Sequence, residues 1–224
     1  MDQSTAGISI EIYSDVVCPW CYIGKRRLER ALDQLNGAAE ARITWRPFQL
    51  NPTMSLDGMD RAAYLEAKFG SLDAFRQMEE QVIAAGVEER IPFAFDKIQQ
   101  TPNTFAAHRV IWHADRLGKQ DAMVETLFRV YFVEGQNIGN VKTLIQAATE
   151  AGLDRAETES WLSSDEGVAE VKAEEAVGHR MGIRSVPYFV LNGTYAISGA
   201  QTPDRFVSTL RKAEADYAGR KAGV

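Results

Sequence analysis

The sequence predicts an α/β fold in which a small mixed sheet with flanking helices is interrupted by a large all-helical insertion. Three observations lead there. The N-terminal 45 or so residues read strand, helix, strand; a long middle stretch shows helix signals with no strand between them; and two apolar runs joined by Asn192-Gly193 lie near the C-terminus. The expected boundaries are 1–52 and 165–224 for the sheet-bearing part and 53–164 for the insertion.

Ile8-Ser9-Ile10-Glu11-Ile12-Tyr13 alternates and is β-branched, the pattern of a half-buried strand. Pro19 suits the first position of a helix, where its missing N–H costs nothing. Leu28, Leu32 and Leu35 continue that helix, and Asn36-Gly37 should stop it. Arg42 to Phe48 reads as a second strand, which completes a βαβ unit with a right-handed crossover. In the insertion, Ser71, Asn103 and Asn140 suit N-caps, and Asp154 with Glu157 and Ser163 with Glu166 have capping-box spacing. Pro92 and Pro102 bracket a non-helical stretch around Phe93 and Phe95, and a helix over about 165–181 leads out. Val186 to Leu191, Asn192-Gly193 and Thr194 to Ser198 form a β-hairpin signal. Thr202-Pro203 opens a last helix over roughly 203–218, followed by a frayed tail.

Composition narrows the function. The 224 residues are 45% hydrophobic and 25% charged, as in an ordinary globular protein. A net charge of −6 argues against nucleic acid as a partner, because neutralising phosphates needs clustered Lys and Arg. No apolar run approaches a membrane span, and the first seven residues lack the basic and apolar segments of a signal peptide. The expectation is a cytoplasmic protein with neither a membrane nor a nucleic-acid partner.

The only two cysteines are Cys18 and Cys21, around Pro19-Trp20. At i and i+3 in a first helical turn their Cα atoms lie about 5–6 Å apart, within reach of a disulfide. Cys18 would occupy the N-cap, where free N–H groups favour its thiolate, and Cys21 would sit one turn inside. The expected roles follow: an exposed Cys18 attacks a substrate disulfide, and a shielded Cys21 breaks the resulting mixed disulfide. A zinc site would need four ligands, and nothing places two of His108, His113 and His179 beside the cysteines, so no metal is expected. Asp15 either relays a proton to Cys21 or stabilises the turn and helix start, with the structural role weighing more. Trp20 is expected exposed beside the thiol, as an apolar contact for substrates. Phe48, Phe105, Trp112, Phe128, Tyr131 and Phe132 read as core or cleft wall, and Glu79-Glu80 and Glu88-Glu89 as solvated helix faces.

Tyr13-Ser14-Asp15-Val16-Val17-Cys18-Pro19-Trp20-Cys21-Tyr22-Ile23-Gly24 resembles the active-site segment of the DsbA family, in its FrnE-like branch. Arg46 to Pro52, Thr101 to Thr104 with Ala107-His108-Arg109, and Val186 to Phe189 through Ser198-Gly199-Ala200-Gln201 match as well, so the similarity spans nearly the whole chain. The resemblance implies a thioredoxin-like fold with a helical insertion and dithiol–disulfide exchange. It implies that Pro187 follows a cis peptide bond facing the Cys-Pro-Trp-Cys helix, so that the Val186 backbone can pair with an extended substrate. It also points to Asn103 and His108 as cleft residues, against plainer readings as a helix cap and an interior histidine. DsbA proper is periplasmic and has His where this chain has Trp20, so a cation beside Cys18 is absent and a less extreme thiolate is expected.

The implied function is a protein disulfide oxidoreductase working as a reductase or isomerase on protein or peptide thiols and disulfides. No bound cofactor is expected beyond the redox-active cysteine pair, with glutathione as a candidate co-substrate. Two alternatives stand beside it: a glutathione-dependent isomerase or transferase acting on an aromatic small molecule, and a non-enzymatic peptide-binding holdase. The cysteine pair favours the first reading. Under it, Cys21→Ala accumulates a mixed disulfide on Cys18, seen by mass spectrometry as an adduct that a reductant removes, and Cys18→Ala traps nothing.

Overall fold

The computed structural model describes residues 8–35 and 41–222. The main sheet has the order β2-β1-β5-β6, with β1 at Ser9–Ser14, β2 at Arg42–Pro47, β5 at Tyr188–Leu191 and β6 at Tyr195–Ser198. β1 runs parallel to β2 and antiparallel to β5. The antiparallel β5–β6 hairpin turns through Asn192 and Gly193, both at positive φ, the conformation an Asn-Gly turn supplies. Ile8, Ile10 and Ile12 are buried, as the alternation predicts.

Side chains alternate across the sheet, so the two faces can be told apart. Ile12 and Phe189 pair across β1 and β5 and share one face. Phe189 packs edge-on to Phe206 of α9 (Pro203–Ala222), with ring centroids 4.8 Å apart. Burying one such ring contributes about 1.5–3 kcal/mol, and the aromatic pairing about 0.5–1.5 more. α1, at Pro19–Gln34, packs on α9. Tyr13 points to the other face, where α8 (Val168–Arg180) approaches so closely that a Cβ on Gly178 would lie 2.9 Å from its ring.

The insertion contains α2 (Arg61–Phe69), α3 (Leu72–Glu88), α4 (Phe105–Arg116), α5 (Gln120–Phe132), α6 (Val141–Glu150) and α7 (Arg155–Leu162). It shares one continuous buried cluster with the sheet. Tyr22 of α1 stacks on Phe128 of α5 at 4.9 Å. The Gln120 side chain accepts from the Trp45 N–H at 2.8 Å and donates to the Trp45 carbonyl at 3.0 Å. Burial works against the Lys25 ammonium, but Asp121, Glu29 and Glu125 outweigh it and hold its pKa above the usual value.

Several expectations change. Asn140 and Asp154 cap α6 and α7 as expected, but Ser163 closes α7 and caps nothing, so α8 starts at Val168 rather than near 165. α9 continues to Ala222 instead of stopping near 218. Met59–Asp60 (β3) and Gln100–Thr101 (β4) form a short antiparallel pair that two-residue runs cannot announce. Glu89 is not a solvated face: it is buried and paired at 2.9 Å to both Arg27 and Arg30, tethering the end of α3 to α1. The Asn36-Gly37 helix stop lies outside the described residues.

Gly24 sets how close α1 comes to the sheet. A Cβ there would lie 3.0 Å from Pro187 Cγ and 3.1 Å from Phe189 Cζ, both in the packed interior. Gly24→Val is expected to destabilise by about 1–3 kcal/mol through overpacking. Urea denaturation reads this as a lower midpoint at unchanged m.

Candidate active site

The site forms where β1 ends and α1 begins. The chain leaves the sheet at Ser14 and turns, with the Cys18 N–H donating to the Asp15 carbonyl at 3.0 Å. Cys18 is the N-cap in an extended conformation, and Pro19 takes the first helical position. The Cys18 side chain makes no capping bond, and the first turn of α1 carries no acidic residue. The positive end of the helix therefore meets the sulfur with no carboxylate to neutralise it.

Both cysteines are in the thiol form. Cys18 Sγ lies 3.5 Å from the carbonyl oxygen of Val186, which precedes the cis peptide bond to Pro187. Residues 168 apart in sequence thus meet at the sulfur. Cys21 is only 1% exposed. Burial pushes its thiol well up, the neighbouring Cys18 adds to this, and the Ser14 hydroxyl and Asp15 backbone beside it oppose it.

The expected exposure of Cys18 needs correction: it is 5% exposed. Its outlet is a cavity of about 260 Å³, which Val17, Pro19 and Trp20 also line. Phe69, Phe75, Phe95 and Phe132 wall it with aromatic rings, and Val82 and Leu65 close its sides. Trp20 is half-buried rather than exposed, yet it does border the thiol's cavity as an apolar surface. Three charged groups also line it. Arg61 stacks between Phe75 and Phe95 and pairs with Glu79 at 3.8 Å. Burial raises the pKa of Glu79, although Arg61 and Arg76 oppose this. Lys68 Nζ bonds the Tyr64 hydroxyl at 2.6 Å.

Asn103 and His108 do not border this cavity. Asn103 is structural: its carbonyl accepts from Phe105 N–H at 2.9 Å, and its amide donates to the Met54 carbonyl at 2.7 Å. His108 is 3% exposed and lies behind the cysteines, its Nε2 3.4 Å from Asp15 Oδ1. The other Asp15 oxygen accepts from Leu50 N–H at 2.8 Å, which fixes the loop after β2. Ser14 Oγ, Asp15 Oδ1 and His108 Nε2 are all buried without a well-formed hydrogen bond to protein. Such a group costs about 1–3 kcal/mol, so three in one place are unusual. The residues missed from the sequence are those of α2 and α3, above all Arg61, Tyr64, Lys68, Phe75 and Val82. They carry no motif, and an amphipathic helix looks alike whether its apolar face meets core or cavity.

The profile of the DSBA-like thioredoxin domain family matches residues 9–211. YwbO of Bacillus subtilis (strain 168), an uncharacterised protein, is 29% identical over 206 residues, covering 91% of this chain and 96% of its own. The crystal structure of probable DsbA oxidoreductase SCO1869 from Streptomyces coelicolor superposes with a TM-score of 0.86 at 29% identity, covering 93% of this chain and 90% of that one. The fold is also that of the cytosolic disulfide reductase DsbM from Pseudomonas aeruginosa with GSH, at a TM-score of 0.62 and 17% identity, over 96% and 99% of the two chains.

The raised thiol of Cys21 makes stability depend on pH. Once pH exceeds the ordinary thiol range, the unfolded chain has lost the Cys21 proton and the folded chain still holds it, so unfolding becomes easier as pH rises. The dithiol form is expected to lose about 1 kcal/mol per pH unit above roughly pH 8.5. The disulfide form should lack this slope. Tyr22 and Tyr131, both pushed up to about 12 mainly by burial, add a further loss above the ordinary tyrosine range in both forms. Urea titrations of the two redox forms across this range measure the difference.

Proposed function

The chain belongs to the DSBA-like thioredoxin domain family, and we propose that it is a thiol–disulfide oxidoreductase that reduces or isomerises disulfides of protein or peptide substrates through Cys18 and Cys21. One observation carries this reading: two free thiols share the first turn of a helix, one opening to a cavity and the other sealed. The Cys18 thiolate attacks a substrate sulfur, and the substrate's other sulfur leaves as a thiolate. Cys21 then attacks Cys18, its electron pair forms the Cys18–Cys21 bond, and the substrate leaves reduced. In this reading Pro187 and Val186 hold the substrate strand beside Cys18, and Trp20 and the ring-lined cavity accept an apolar side chain next to the substrate cysteine. Pro19 preorganises the helix start, and Asp15 fixes the turn before it.

Compartment sets direction. In a cytoplasm whose glutathione pool lies at least ~100 mV below a strongly oxidising couple of about −120 mV, the pair would be held reduced by roughly three decades. Reduction or isomerisation is then the favoured work. Glutathione as co-substrate is supported by the shared fold of a reductase whose structure contains GSH. An aromatic small molecule could also enter the cavity, and a glutathione-dependent isomerase of that kind would keep its activity without Cys21.

Insulin reduction with glutathione as reductant tests the proposal. Cys18→Ala should lose turnover by at least about 100-fold, and Cys21→Ala should stall as a mixed disulfide. Full turnover in Cys18→Ala would end this reading, and full activity in Cys21→Ala would favour the isomerase.

A further inference from the structure

The resolving step leaves a proton to be placed. Cys21 is sealed in the core at 1% exposure, so it cannot hand its proton to bulk water. Its neighbour Ser14 is also buried, and the Ser14 hydroxyl makes no well-formed bond to protein. Behind Ser14 is a pocket of about 10 Å³, bordered by Val16, Trp45, Pro47 and His108 among others. That is about the room one water needs. His108 borders the same pocket, its Nε2 stands 3.4 Å from Asp15 Oδ1, and neither atom has a well-formed hydrogen bond to protein.

We propose that Ser14, one water in this pocket and the His108–Asp15 pair are the route by which Cys21 loses its proton when it resolves a mixed disulfide. The inference rests on the reading of Cys18 and Cys21 as attacking and resolving thiols. As the Cys21 sulfur closes on Cys18, its proton passes to Ser14 Oγ, the Ser14 proton to the water, and a water proton to His108 Nε2. The Cys18–substrate S–S bond breaks, the Cys18–Cys21 bond forms, and the electron pair leaves on the substrate thiolate. The imidazolium is balanced by the Asp15 carboxylate. Reduction of the pair runs the same path backwards.

The surroundings leave this pair as the acceptor. The charged groups bordering the pocket from the other elements are Arg46 on β2 and Glu174 on α8, paired with each other at 3.2 Å; Arg46 also pairs with Glu11 at 2.7 Å. From α5, Asp121 and Glu125 are committed to Lys25 on α1. In this route Ser14, the hydroxyl beside the Cys21 thiol, takes the proton directly and is the catalytic group, and His108 and Asp15 act through it.

The dithiol protein mixed with 5,5′-dithiobis(2-nitrobenzoate) in a stopped-flow instrument separates the two steps. The first nitrothiobenzoate reports attack by Cys18, and the second reports resolution by Cys21. Near neutral pH, Ser14→Ala and His108→Gln should release the first as the parent does and the second about 10-fold to 100-fold more slowly. The deficit should shrink as pH rises and hydroxide removes the proton directly. Ser14→Ala deletes one oxygen, and circular dichroism verifies that it folds. A second phase in Ser14→Ala and His108→Gln with the parent's rate and pH profile overturns the relay and leaves the oxidoreductase reading standing. A parent protein that releases no second equivalent overturns that reading, and the relay with it.

Discussion

The meeting of the α1 N-terminus with the loop at Val186-Pro187 is the contact on which the site depends. It joins segments from opposite ends of the chain, and Cys18 Sγ sits against the Val186 carbonyl at 3.5 Å. Gly24 makes the approach possible, since any side chain there would press on Pro187 and Phe189. Phe189 is held in turn by Phe206 of the last helix. The position of one sulfur is thus coupled to the packing of β5, α1 and α9 together.

The two thiols differ in kind of burial rather than in amount. Both are enclosed, but Cys18 faces a ring-lined cavity and Cys21 faces core and buried polar groups. The outer wall of that cavity comes from α2 and α3, so in the proposed reading the insertion does more than decorate the sheet: it selects what reaches the Cys18 sulfur. The polar groups behind Cys21 come from the end of β1 and from α4, which places the insertion on both sides of the chemistry.

Much of this was legible in the sequence, for physical reasons. Alternation fixes β1, Asn192-Gly193 requires its turn, and Pro19 after Cys18 marks a helix start. Local signals of this sort depend on residues close in the chain. What was missed depends on residues far apart. Cys18 is enclosed because α2 and α3 fold over it, and no spacing around Cys18 encodes that. Glu89 looked like a solvated charge because its partners, Arg27 and Arg30, lie on another helix. The resemblance points to His108 as a cleft residue, and only the fold places its Nε2 3.4 Å from Asp15, behind the cysteines. Asp15 carries two readings, a proton relay to Cys21 or a stabiliser of the turn and helix start; its backbone carbonyl closes that turn at Cys18, whereas one carboxylate oxygen ties down Leu50 in the loop after β2.

The sheet ends on one side at β2. On β2 the groups of Arg42 face β1, so those of Ile43, Trp45 and Pro47 face outward. Gln120 occupies both backbone groups of Trp45, and Pro47 has no N–H to offer. That rim cannot template another strand. A strand arriving at this rim would have to displace the Gln120 amide and would still meet a proline, so the sheet does not lengthen on its β2 side.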